Sequence, residues 1–184
     1  GTYTVSVSQT VASTTITATT SGNDYTNTIT MTAGITVSGN ISLSPTMTIN
    51  STGTLTVNTS GILRGNGKTW STPMTIAGTS QTYTLSDNWT VSANFTLGAT
   101  TSVVINGNTL NLGANLTVTT TAINSGTSTL NLNGTGTWSH TSTGQIRNNL
   151  TINTSGTITV SSNVYYNTGS LTYTAGIVNT IGST

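Results

Sequence analysis

MTINSTGTLTVNTSG, residues 47–61, alternates apolar with polar side chains at Met47, Ile49, Leu55 and Val57 and is interrupted once, at Ser51, Thr52 and Gly53. Successive side chains of a strand point to opposite faces, so this alternation, bounded by Gly and hydroxyl or amide residues, reads as strand, turn, strand. The pattern returns without a gap in LTINTSGTITVSSN, residues 150–163, at an offset of 103 that matches Ile49 to Ile152, Gly53 to Gly156 and Val57 to Val160. A second echo, TMTAGI at 30–35 and TYTAGI at 172–177, has an offset of 142. Two offsets exclude one fixed long period. They leave a short unit, one strand and one turn, reused with variable spacing.

Outward from this stretch the apolar pairs come quickly: Ile29/Met31, Ile35/Val37, Ile41/Leu43, Met47/Ile49 and Leu55/Val57, with Gly34, Gly39, Pro45 and Gly53 as breakers between them. Linkers this short suit a chain that turns a corner about every six residues. The same alternation predicts core positions at Ile35, Ile41, Ile49, Leu55, Val57, Leu85, Val91, Leu97, Leu112, Val118, Leu132, Ile152, Ile158 and Val160. It lapses in residues 61–73 and 134–149, which read as protruding loops or irregular corners. Asn106-Gly107, between apolar runs, is a hairpin signal; in a coil of strands it serves a corner with positive φ instead.

Charged residues are only 3% of the 184, namely Arg64, Lys68, Arg147, Asp24 and Asp87, and the formal net charge is +1. That leaves no basic footprint for nucleic acid or an anionic membrane. It also removes the repulsion that keeps copies apart. Thr, which is β-branched, favours strands, and no window has helical periodicity. There is no Cys, hence no disulfide, and no run long enough to cross a membrane as a helix. The chain reads as one all-β domain, 1–184, a processed product or a fragment of something longer.

Two all-β architectures fit. One is a β-solenoid of three-sided coils of about 18–20 residues, stacked around a continuous apolar column. The other is an antiparallel sandwich or jelly roll. The six-residue step and the gapless internal matches favour the solenoid. NGTGTWS (133–139), NNLTINTSGTITVSSNVYYNTGSLTYTAGIV (148–178) and INGNTLNLGANLTV (105–118) resemble the Thr/Asn/Gly-rich repeats of tailed-bacteriophage structural proteins and of bacterial surface adhesins. The resemblance implies a fibre, spike or surface-display role and carries over no catalytic residue.

Chemistry-bearing constellations are sparse. GNGKT, residues 65–69, lacks the first Gly of a phosphate-binding loop, whose place is taken by Ile62. A polysaccharide-active enzyme needs two carboxylates across the scissile bond, and Asp24 and Asp87 are the two acids present. His140 is the sole histidine, too little for an ordinary zinc site. We therefore expect no catalytic residue, no cofactor and no metal. Nine Asn-x-Ser/Thr sequons occur where chance predicts about eight, so they carry no signal for glycosylation. Lys68, Trp70, Trp138 and His140 fall in the two irregular segments and are candidate ligand-contact residues, with capping or core placement favoured for both tryptophans; Trp89, in alternation with Val91, is read as core. Thr-x-Thr pairs resemble those of β-solenoid ice-binding proteins, but their first members are 13, 18, 8, 28, 75 and 15 residues apart, which argues for a plain solvated Thr face.

The expectation is a non-enzymatic structural protein of an extracellular, cell-surface or virion fibre, assembled with copies of itself through strand and solenoid-end contacts at Tyr3, Val5, Val7, Leu171 and Tyr173. Surface glycans are a further expected partner; nucleic acid and membrane insertion are not expected. A surface adhesin or ice-binding module and a polysaccharide-active enzyme are the alternatives.

Overall fold

The computed structural model describes residues 3–5, 9–11, 28–43, 45, 48–98, 102–119, 122–141, 145–166 and 169–181. They form an all-β solenoid of parallel stacked coils, without helices. Every strand pair among them is parallel, which excludes the antiparallel sandwich. No helix among them is long and apolar enough to cross a membrane.

Each coil has three sides, taken in chain order. One full coil runs Thr48–Ser51, Leu55–Thr59 and Gly61–Arg64. Later coils repeat this order, for example Trp89–Val91, Phe95–Leu97 and Ser102–Val104. The corner every six or so residues is thus real. On the second side, from Ile35 onward, register partners one coil apart are separated by 19 residues (Leu55 and Met74) to 22 (Trp138 and Val160), so the coils match the upper end of the expected 18–20 residues and extend slightly beyond it, making about 6 turns.

The second side shows the stacking most clearly. Leu55, Met74, Phe95, Leu116, Trp138 and Val160 lie in one in-register row, and all are buried. Burying one such side chain stabilises the fold by about 1.5–3 kcal/mol. Strand alternation sends each residue between two inward ones outward, so Thr56, Thr75, Thr96 and Thr117 form a parallel row on the surface. Val160 stacks in the row of Leu55, not of Val57. The 103-residue sequence match is therefore two residues off structural equivalence, a slip that preserves which face is inward.

Thirteen of the fourteen predicted core residues are buried. Ile49 is the exception and is half-buried, packed against the core. Its strand belongs to a separate three-stranded sheet with Tyr3–Val5 and Thr28–Met31, and that sheet is not hydrogen-bonded onward to Thr69–Trp70. The two irregular segments are not protruding loops. Gly61–Arg64, Thr69–Trp70 and Gly136–His140 are ordinary strands of the coil. The lapse in aliphatic alternation arises because Trp70, Trp138 and His140 hold inward places.

Corners are built by Asn and Gly. Lys68 N–H donates to Gly65 O, and Asn66 and Gly67 between them both have positive φ. Asn108 N–H donates to Ile105 O around Asn106 and Gly107 in the same way. These are type I′ turns, elsewhere the turn of hairpins, used here to change sides. Asn amide oxygens then clamp one coil to the next: Asn40 accepts from Ile62 N–H (2.8 Å), Asn88 from Thr109 (2.8 Å), Asn115 from Thr137 (2.7 Å) and Asn149 from Ser170 (3.0 Å).

Candidate functional site

The final described coil is where the stack stops being covered. Leu171–Thr180 pairs along one edge with Gln145–Val160 and, among the described residues, with no strand along the other. The coil beneath it is closed: Leu150, Ile152 and Ile158 are all buried. Their register partners and neighbours are open. Leu171 is 61% exposed, Tyr173 58% and Ile177 62%, with Val178 and Ile181 also exposed. The physical cause is position. Among the described residues an inner coil is covered by a coil on each side and this one by a single coil, which opens Leu171, Tyr173 and Val178; Ile177, in register with Thr157, is at an outward place. The Tyr173 hydroxyl donates to the Gly176 carbonyl, tying the corner of this coil to itself. The result is an uncharged apolar ledge beside a row of backbone donors and acceptors that no described strand uses.

The opposite end has the same construction. Tyr3–Val5 pairs only with Thr28–Met31, and Gln9–Val11 only with Ile35–Ser38, among the described residues. Val7 lies outside the described residues. The sequence-predicted assembly residues that are described thus divide between the two ends of the stack, Tyr3 and Val5 at one and Leu171 and Tyr173 at the other.

The predicted contact residues lie elsewhere. Trp70 is fully buried, as is Trp89. Trp138 is 6% exposed and His140 4%, and the Trp138 indole N–H donates to His140 Nε2 at 2.9 Å. Rings so enclosed present no face to a sugar, and Lys68, half-buried at its corner, is the member of that set with solvent access. The structure does not bring the four together: Lys68 and Trp70 sit two residues apart beside the first side, and Trp138 and His140 share a second-side strand.

Asp87 serves the fold. Its carboxylate accepts the N–H groups of Gly65 (2.7 Å) and Asn66 (2.6 Å) one coil away, holding the type I′ turn. Asp24 lies outside the described residues. No group of three metal-ligating side chains occurs among the described residues.

Sequence reasoning missed one surface. On the second side Thr36, Thr56, Thr75, Thr96, Thr117 and Ser139 follow one another in register, once per coil. Counting Thr-x-Thr pairs hid this row, because Thr54/Thr56, Thr82/Thr84 and Thr172/Thr174 belong to three different sides. The signal that finds it is the centre residue of each apolar-Thr-apolar triplet. The flanking outward positions are mixed, with Ser38, Asn58, Ala77, Gly98 and Thr119 along one border.

Comparison with protein families, with curated proteins and with solved structures finds no match to this chain.

Proposed function

We propose that the chain is a non-enzymatic structural module that assembles with copies of itself through the ends of its solenoid, as part of an extracellular, cell-surface or virion fibre. The observation that carries this reading is the apolar ledge of Leu171, Tyr173 and Val178, the register partners of buried Leu150, Ile152 and Ile158, beside a strand edge that no described strand pairs. Such an edge templates further strand pairing, and natural sheet proteins cover or charge it where association is unwanted. Here no charge stands in residues 171–181. The low-charge, Thr/Asn-rich surface fits a structural role and leaves contact with surface glycans to hydroxyl and amide groups. Electron microscopy and sedimentation of the purified chain test it: filaments or closed oligomers are expected, and a monomer at high concentration refutes it.

The row of Thr residues on the second side favours one further reading, an ice-binding face. A hydroxyl and a methyl repeated at the coil spacing, about 4.8 Å, can order water on a flat surface. Growth of ice crystals in the presence of the protein tests it. Suppressed recrystallisation that is lost when Thr75 and Thr96 are replaced by Lys supports this reading, and unaltered ice growth eliminates it.

A further inference from the structure

We propose that Trp138 and His140 form an acid-sensitive latch: near neutral pH the pair holds the second-side strand Gly136–His140 to the coil above it, and protonation of the imidazole releases that boundary. Both residues lie in an inner coil, with Leu116–Val118 beneath and residues 158–162 above, so the latch does not depend on what meets the ends of the stack.

The hydrogen bond fixes the protonation state. An indole N–H donates and never accepts, so the His140 ring nitrogen 2.9 Å from it must carry a lone pair. The imidazole is therefore neutral in the closed coil. In the imidazolium both ring nitrogens carry protons, and the same contact would set one N–H against another. Burial adds to the penalty, because a charge at this place has neither water nor a counter-charge. The strand beneath offers Leu116 and Val118, and the strand above Ile158 and Val160. The adjoining sides of the same coil turn Leu130, Leu132 and Ile146 inward. Arg147 is exposed, with its Nε on Gln145 Oε1. Tyr166 donates its hydroxyl to the Asn148 carbonyl, and burial pushes its phenol up, so it is uncharged. Asp87 is engaged by the N–H groups of Gly65 and Asn66. Among the described residues no carboxylate faces the ring.

The latch sits on backbone bonds that join two coils. His140 N–H donates to Ser162 Oγ at 2.7 Å, and Ser161 N–H to the Trp138 carbonyl at 3.2 Å. An opened strand takes its proton near pH 6.5, as an ordinary histidine does. The open form thus binds the extra proton, and closure is favoured above about pH 6.5 and weakens below it, by about tenfold per pH unit. Composition makes this a switch of one residue. With one His, two Asp and no Glu, only three side chains titrate between about pH 3 and 7.

The sole histidine can be followed directly by NMR of its ring nitrogens while acid is added, with amide exchange and tryptophan emission recorded in parallel. The ring should stay neutral to well below about pH 6.5. When it takes its proton, exchange should rise at residues 136–140 and 158–162, and emission should shift to the red. His140→Gln places an amide oxygen where Nε2 stood, which accepts the indole N–H and does not titrate; this variant should fold and lack the transition. A ring that protonates near pH 6.5 while those amides stay protected overturns the latch, and this reading on the native chain stands whether or not the variant folds. A Gln variant that opens at the same pH as its parent overturns it too. Asp87→Asn should leave the transition in place; if it abolishes the transition, the acid response belongs to the Gly65–Asn66 corner and the proposal is wrong.

Discussion

Trp138 donates its indole N–H to Nε2 of His140 at 2.9 Å, with the rings edge to face at 5.7 Å, inside a stack that is mostly apolar. The two residues occupy neighbouring inward places of one strand, over Leu116 and Val118 of the coil before. The pair answers a problem of burial: an indole N–H and an imidazole each lose water on entering the core, and each satisfies the other. Replacing His140 by Leu leaves the indole N–H without that acceptor and should cost about 1–3 kcal/mol. The double change Trp138→Phe with His140→Leu should recover part of that loss. Chemical denaturation of the four proteins of this cycle measures the coupling; strict additivity would show that the bond contributes nothing.

Tyr83 is fully enclosed, and burial pushes its phenol well above the usual value for tyrosine. The neutral form is therefore held in the folded state, while the unfolded chain ionises near pH 10. Stability from this group is present below about pH 10 and is lost as pH rises above it toward the raised folded value. Thermal unfolding followed between pH 8 and 12 should show a steep alkaline decline. Tyr83→Phe should flatten it, at little cost near neutrality, since the hydroxyl makes only a 3.4 Å contact with the Ala77 carbonyl. An unchanged alkaline slope in the variant would place the effect in another tyrosine.

Gly134 rests directly on the backbone of the coil below, where an added Cβ would collide with the Gly113 carbonyl oxygen. Backbone cannot step aside as a flexible side chain can. Gly134→Ala should destabilise by about 1–3 kcal/mol through overpacking, measured as a lowered denaturation midpoint. Leu97→Ala, which instead empties a fully buried place in the apolar column, should cost about 2–5 kcal/mol.

The architecture was legible where one physical rule governed a residue. Strand alternation placed Leu85, Val91 and Leu112 inward, and the six-residue step announced the corners. Two things were hidden. One was the interior place of His140, a polar side chain that alternation rules discount, although capping or core placement was favoured for Trp70 and Trp138; His140 is buried as the acceptor of the Trp138 indole N–H on its own strand. The other was the surface, because sequence order interleaves three sides and only the coil length sorts them. The sequons illustrate this. Asn40, Asn88, Asn115 and Asn149 are each followed by an inward apolar residue, Ile41, Trp89, Leu116 and Leu150, and then by Ser or Thr facing out. Asn-x-Ser/Thr is here the spelling of a strand entry. The open edge was half legible: Leu171 and Tyr173 read as a pairing edge, but Val178, the register partner of buried Ile158, emerged as part of the same ledge only once the coil was built.

The interface expected at that ledge contains no charged group, and this sets its response to salt. Among the described residues the cations Arg64, Lys68 and Arg147 sit on or beside the third side of inner coils, away from strand Leu171–Thr180. Arg64 Nε reaches Ser86 Oγ (3.3 Å) and Arg147 Nε reaches Gln145 Oε1 (2.9 Å), so both are engaged within the same wall. Salt weakens charge attraction by screening, with a Debye length of about 3 Å at 1 M, but it leaves strand pairing and apolar burial in place. Sedimentation should therefore find the assembled fraction essentially unchanged from low ionic strength to about 1 M NaCl, and increased by sulfate, which strengthens apolar burial. Replacing Arg64 and Lys68 with Ser should leave assembly intact, whereas deleting residues 1–7 should weaken it. An assembly that dissolves at high NaCl, or that follows Arg64 and Lys68 rather than the N-terminal coil, would require ion pairs at the interface and would displace the ledge as its seat.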